Sequence, residues 1–225
     1  MPPSTVRSLR EHFDVQLHDL QEMLIRMGIK VEEMIDKSMQ ALLERDEALA
    51  RQVVEMDDIV DDMDLSIERR CIHLLATQQP LARDLRLIVS VLKIIADVER
   101  MADFAVDIAK KAIRLADLPR VEHFVDLGRM ARLVQEMLRD SLRSFVEQDI
   151  ELAKQVGDKD HQVDRLYAQN LDALLRLMNE HHDYITPGAH LVLVARYIER
   201  IGDHITNVVE RVHYLVTGQW IELNQ

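Results

Sequence analysis

The sequence carries the same pattern twice. Leu49-Ala50-Arg51-Gln52-Val53 returns as Leu152-Ala153-Lys154-Gln155-Val156, 103 positions later, and Glu99-Arg100-Met101-Ala102-Asp103 returns as Glu199-Arg200-Ile201-Gly202-Asp203, 100 positions later. A repeat of this length means one structural unit used twice in tandem, so whatever the first half folds into, the second half folds into as well. The three-residue change of offset falls in a linker, where a connecting segment tolerates a change of length.

Within each copy the apolar residues recur three and four apart, the period of a helix with one buried stripe. Leu17, Leu20, Leu24, Met27, Val31, Met34, Ile35, Met39 and Leu42 define a first helix over about 6–44, in which Gly28 marks a point of weakness and a candidate bend. Val53, Met56, Val60, Met63, Ile67, Cys71 and Leu74 define a second, over about 48–76. Gln78-Gln79-Pro80 interrupts the pattern, with Pro80 suited to the first turn of a third helix that runs to about Ala116, where Asp117-Leu118-Pro119 stops it. The second copy repeats the order, with helices over about 121–147 and 150–179, a linker through His181 to Pro187, and a last helix to about Val216. Gly218 fits a left-handed C-cap. The chain therefore divides into a first repeat over 1–118, a second over 119–218 and a short tail over 219–225. Six glycines and five prolines in 225 residues leave too few turns for a strand-rich fold, so the class is all-α.

Charge narrows the partners. Forty acids against 28 bases give a net charge of −12, and the bases are dispersed through every segment, which disfavours nucleic acid and favours a cationic ligand or a basic protein surface. The most apolar stretch, Leu81 to Val98, is broken by Arg83, Asp84, Arg86, Lys93 and Asp97, so any membrane contact is peripheral. A lone cysteine and an N-terminus without an apolar run point to the cytoplasm.

The chemistry-bearing residues are carboxylates. Asp57 with Asp61, Glu99 with Asp103, Asp160 with Asp164 and Glu199 with Asp203 each stand four apart, on one face of a helix. Like charges at this spacing destabilise an isolated helix by a few tenths of a kcal/mol, so something should offset the repulsion. If the second and third helices of each half pack side by side, the four carboxylates of that half converge, and a hard or borderline cation bound through oxygen would neutralise them. So acidic a chain contains roughly seven acid-x-x-x-acid pairs by chance, so a single pair means little. Recurrence at equivalent positions of both halves is what singles these eight out. Two other readings remain open: a shared solvated surface, and a structural cluster in which Arg100 and Arg200 pair with the acids.

Other chemistries find less support. His181-His182 and His204 read as surface or capping residues. Glu210-Arg211-Val212-His213 is a lone Glu-x-x-His, and Asp158-Lys159-Asp160-His161 substitutes Asp, which argues against a ferritin-like di-metal site. Cys71 sits within an apolar helical pattern and reads as a buried, inert thiol, and most of the 11 methionines fall at core spacing. No nucleophile motif or phosphate-cradling glycine loop is present, so no catalytic residue is assigned and no enzyme is expected.

Arg83-Asp84-Leu85-Arg86 leads into Ala96-Asp97-Val98-Glu99-Arg100-Met101-Ala102-Asp103, and the second half carries Tyr197-Ile198-Glu199-Arg200-Ile201-Gly202-Asp203-His204-Ile205-Thr206-Asn207. Through these segments the sequence resembles the PhoU family of phosphate-signalling regulators. In the first half Met101-Ala102 stands where the family pattern has Ile-Gly, and both acids are kept. The resemblance implies two tandem three-helix bundles of long helices. It also implies that the acid pairs match the family's metal-cluster motifs, with iron or zinc in a multinuclear cluster. The implied role is a homodimeric, non-catalytic negative regulator of phosphate uptake and the phosphate-starvation response, contacting the ATPase subunit of the phosphate ABC transporter and the phosphate sensor histidine kinase. A metal-binding or metal-storage bundle without a signalling role is the alternative reading of the same carboxylates.

Overall fold

The computed structural model describes residues 4–222, with side chains from residue 10, so the last three residues of the 219–225 tail and the first three of the chain lie outside it. The elements are six helices: α1 (Ser4–Glu44), α2 (Glu47–Gln78), α3 (Ala82–Leu115), α4 (Leu127–Glu147), α5 (Ile150–Glu180) and α6 (Ile185–Thr217), with 3₁₀ turns at Glu122–Phe124 and His182–Tyr184. Helices α1, α2 and α3 pack on one another, as do α4, α5 and α6; α3 lies along α6 and α1 against α4, joining the two bundles.

The duplication is visible in which residues are buried. In α3 and α6, Val98 and Ile198, Met101 and Ile201, Ala105 and Ile205, Ile108 and Val208, and Leu115 and Leu215 are pairs 100 positions apart, each buried. In α1 and α4, 103 positions apart, Leu24 and Leu127, Met27 and Met130, Val31 and Val134, and Met34 and Met137 do the same. Even the buried hydroxyls repeat: Ser38 donates to the Ile35 carbonyl at 2.9 Å and Ser141 to the Leu138 carbonyl at 2.8 Å. The turns between the first two helices of each bundle also match. Arg45 and Gln148 close their helices in the left-handed conformation (φ 62° and 56°), and the carboxylates of Asp46 and Asp149 cap the next helix by accepting from Leu49 N–H at 2.9 Å and Leu152 N–H at 3.0 Å. Such a cap contributes about 1 kcal/mol.

Four local expectations are revised. Helix α1 runs unbroken through Gly28, whose value is proximity: a Cβ there would stand 2.1 Å from Leu142 Cδ1 of α4. Pro80 precedes α3 instead of entering its first turn, because Gln79 leaves α2 in the left-handed conformation and Leu81 is the extended N-cap residue. The fourth helix starts at Leu127, six residues later than its periodicity suggests, because Glu122–Phe124 form a separate turn and Asp126 caps α4. The linker expected over residues 181–187 is short, with α6 already under way at Ile185.

The bundles are not identical at their open ends. Helix α1 extends some twenty residues beyond the point at which α4 starts, and there Arg10 reaches Asp84 of α3 at 2.6 Å. In the second bundle the chain turns instead, and the buried Asn170 accepts from the Asp126 N–H at 2.8 Å where the first bundle has apolar Ile67. The connection between the halves is anchored by a largely buried ion pair, Arg45 with Glu122, whose carboxylate also accepts from Val121 N–H at 2.9 Å.

Candidate functional site

Helices α2 and α3 lie side by side, as do α5 and α6, which brings the acid pairs of each half face to face. In the first bundle the Asp57 carboxyl is held above its usual range by partial burial and then by the charges of Asp61 and Asp103. Glu99 is raised by burial and then by Asp103, with Asp61 and Asp64 adding to it from α2. In the second bundle burial pushes Asp160 up to about 7, helped by Asp164, Asp203 and Glu199, and the last two carboxyls are themselves raised, chiefly by burial. All eight predicted residues therefore fall in two mutually repelling quartets, one per bundle.

The quartets differ in depth. Asp160 is 5% exposed, whereas its counterpart Asp57 is half-buried. Gly202 accounts for this: a Cβ at that position would stand 2.8 Å from Asp160 Oδ1, so the missing methyl lets the carboxylate lie against the α6 backbone. Ala102 occupies the same place in α3 and denies Asp57 that depth.

Guanidinium groups border both quartets. Arg100 Nη1 donates to Asp103 Oδ2 at 2.8 Å, and its Nε stands 3.7 Å from Glu99 Oε2. In the second bundle Arg196 pairs with Glu199, and Arg200 Nε stands 3.9 Å from Asp203. Arg196 has no counterpart in α3, where Ala96 stands; sequence comparison of the motifs alone passed over it. One oxygen of Glu199, Oε2, is buried without a hydrogen-bond partner. The chemistry of each donor set fits a cation taken through oxygen: clustered, partly desolvated carboxylates with an unmet acceptor among them. As the side chains lie, however, no group of three or more His, Cys, Asp or Glu among the described residues closes around a single point that would hold a metal ion. The arginines instead hold the acids of α3 and α6, Glu99, Asp103, Glu199 and Asp203, in ion pairs.

His204 is not the surface or capping residue that its sequence position suggests. Its side chain is 17% exposed in the α3–α6 seam, with Nδ1 2.9 Å from Oδ1 of Asp97, to which Asn207 Nδ2 also donates at 2.8 Å. The duplicate positions, 100 residues away, hold Tyr197, Phe104 and Asp107, and there the seam is aromatic, with Phe104 and Tyr197 stacked at 6.0 Å. The two linker histidines are exposed, and His181 serves as the C-cap residue of α5. His213 lies 3.1 Å from the Gln219 carbonyl, near the C-terminus of α6. Cys71 is buried, and burial pushes its thiol to about 12.

The PhoU domain model matches this chain twice, over residues 24–112 and 127–212, once in each bundle. The chain belongs to the PhoU family. Among its relatives, the phosphate-specific transport system accessory protein PhoU homolog of Clostridium acetobutylicum is 39% identical over 96% of this chain and 99% of its own length. The homolog of the same description from Aquifex aeolicus is 42% identical over 92% of this chain and 94% of its own. The crystal structure of PhoU from Pseudomonas aeruginosa superposes with a TM-score of 0.86 at 37% identity, covering 92% of this chain and all 100% of that one. That of the phosphate transport system regulatory protein PhoU from Streptococcus pneumoniae gives 0.86 at 30% identity, over 93% and 99%. These matches bear out the sequence resemblance and the tandem three-helix architecture. None of the helices among the described residues is long and apolar enough to cross a membrane.

Proposed function

We propose that this PhoU-family chain is a cytoplasmic, non-catalytic regulator that restrains phosphate uptake and the phosphate-starvation response. It acts by docking on the ATPase subunit of a phosphate transporter and on the phosphate sensor kinase, as a homodimer. The observation that carries this reading is the end-to-end match to proteins named as phosphate-specific transport accessories, at 39% identity over nearly the whole of both chains. An adaptor works through its surface and the relative placement of its helices. The two carboxylate quartets sit where such placement is set, between the second and third helices of each bundle.

Cation binding belongs to the same proposal. Asp57, Asp61, Glu99 and Asp103 would hold a cation in the first bundle, and Asp160, Asp164, Glu199 and Asp203 in the second, with iron or zinc as the candidates. A bound cation would supply positive charge that cancels the repulsion within each quartet and cross-links its helices. Until then Arg100 and Arg196 supply part of that charge, so metal and guanidinium compete for the same oxygens.

Affinity capture from phosphate-replete cells tests the adaptor role: the transporter ATPase and the sensor kinase are expected with the chain, and recovery of neither would overturn it. Elemental analysis of gently purified protein tests the metal reading separately. Bound iron or zinc is expected to fall in the E99A/E199A double variant, and equal metal in both proteins would remove the quartets from the account.

A further inference from the structure

The duplication allows one groove to be compared with its own twin. In the first bundle a groove between α1 and α2 is lined by Met23, Arg26, Ile59, Asp62, Met63 and Ser66. It is mostly apolar, and Arg26 is tied to Glu22 at 3.0 Å. The corresponding groove of the second bundle, between α4 and α5, has a volume of about 280 Å³ and a different chemistry. At positions 103 residues on, Ile59 becomes Gln162, Asp62 becomes Arg165 and Ser66 becomes Gln169, while Arg26 is kept as Arg129 and Arg132 joins it from the next turn of α4.

Three guanidiniums thus face one groove from two helices, in a chain whose net charge is −12. All three are exposed, and among the described residues no ion pair ties any of them to a carboxylate, although most arginines near the quartets and along α1 are so tied. The acid on the rim, Glu136, lies 3.9 Å from Lys159 Nζ. Leu133 and Leu166 form an apolar floor beneath the charged groups. Three like charges faced by a single carboxylate repel one another, and an oxyanion between them removes that repulsion. The planar guanidinium fork is suited to phosphate, which it binds through paired N–H donors, and the amides of Gln162 and Gln169 add further donors.

We propose that the α4–α5 groove is a binding site for a small phosphate-bearing anion of at least two negative charges, such as a diphosphate or phosphate ester, held by Arg129, Arg132 and Arg165. The site is separate from the carboxylate quartets and does not depend on the adaptor reading. Its size, near the lower limit of ligand pockets, suits a small molecule better than a polymer.

Pyrophosphate titrated into the full-length protein at low ionic strength, followed by amide chemical shifts, tests this. Saturable binding is expected, with shifts confined to α4 and α5. The R132Q/R165Q variant is expected to bind at least about tenfold more weakly, R26Q in the twin groove as the parent does, and E136Q more tightly. All four positions are exposed, and matched melting temperatures would show that the fold is kept. The absence of saturable binding, equal weakening by R26Q, unchanged affinity in R132Q/R165Q, or binding to anionic lipid vesicles without binding to pyrophosphate would each overturn the proposal.

Discussion

Asp160 carries an unusual burden for a carboxyl group: it is 5% exposed, and burial, with three other acids facing it, pushes its pKa up to about 7. In the unfolded chain the same group would titrate at its ordinary value of 3.8. Between these values the native state holds a proton that the unfolded state releases, so the contribution of this group to stability is present at low pH and lost as the pH rises through about 7. Glu199, Asp203, Asp57 and Glu99 are shifted in the same direction. Chelator-treated protein should therefore become less resistant to urea between about pH 5 and pH 8. In D160N that slope should flatten, and the variant should gain on the order of 2 kcal/mol over the parent at the alkaline end. Parallel pH profiles for the two proteins would show that Asp160 is ionised and solvated after all. At this scale the sequence was readable in part. The identity of the eight acids followed from their recurrence, but the depth of Asp160 depends on one absent methyl of α6, and the role of His204 on Asp97, 107 positions away.

Pairs of helices explain why the two copies diverged. Gly202 sets the approach of Asp160 to α6, so G202A should push the carboxylate outward and give the second bundle the shallower site of the first. Carboxyl carbon chemical shifts followed against pH would then show Asp160 titrating well below 7, and an unshifted midpoint would refute the steric account. Gly28 sets the approach of α1 to α4, where a methyl would meet Leu142 at 2.1 Å. In an unconstrained helix, alanine there would add about 1 kcal/mol of stability through propensity. The clash should outweigh this, and G28A is expected to lower the unfolding free energy by about 1–3 kcal/mol in urea melts. Net stabilisation would contradict the close packing of these helices. Helical periodicity located all six helices and most of their ends. It could not show that Gly28 is a contact and not a bend, because the reason lies on another helix. The basic groove was hidden for the same cause: Arg129, Arg132 and Arg165 are spread over two helices and look dispersed until α4 and α5 are laid together.

At the scale of the whole molecule, duplication supplies both the architecture and the functional argument. The bundles share a buried seam along α3 and α6, apolar through most of its length, aromatic at Phe104 and Tyr197 and polar at Asp97, His204 and Asn207. A seam of this kind fixes the two quartets relative to each other. The tandem organisation was legible because an internal repeat states the fold twice. Metal occupancy and the docking surface were not, since both depend on groups that lie outside the chain. If this PhoU-family chain restrains phosphate entry, phosphate uptake by phosphate-replete cells lacking it measures that restraint most directly. Uptake should rise on deletion and return to the parental rate when the chain is restored; an unchanged rate in the deletion strain would contradict the account.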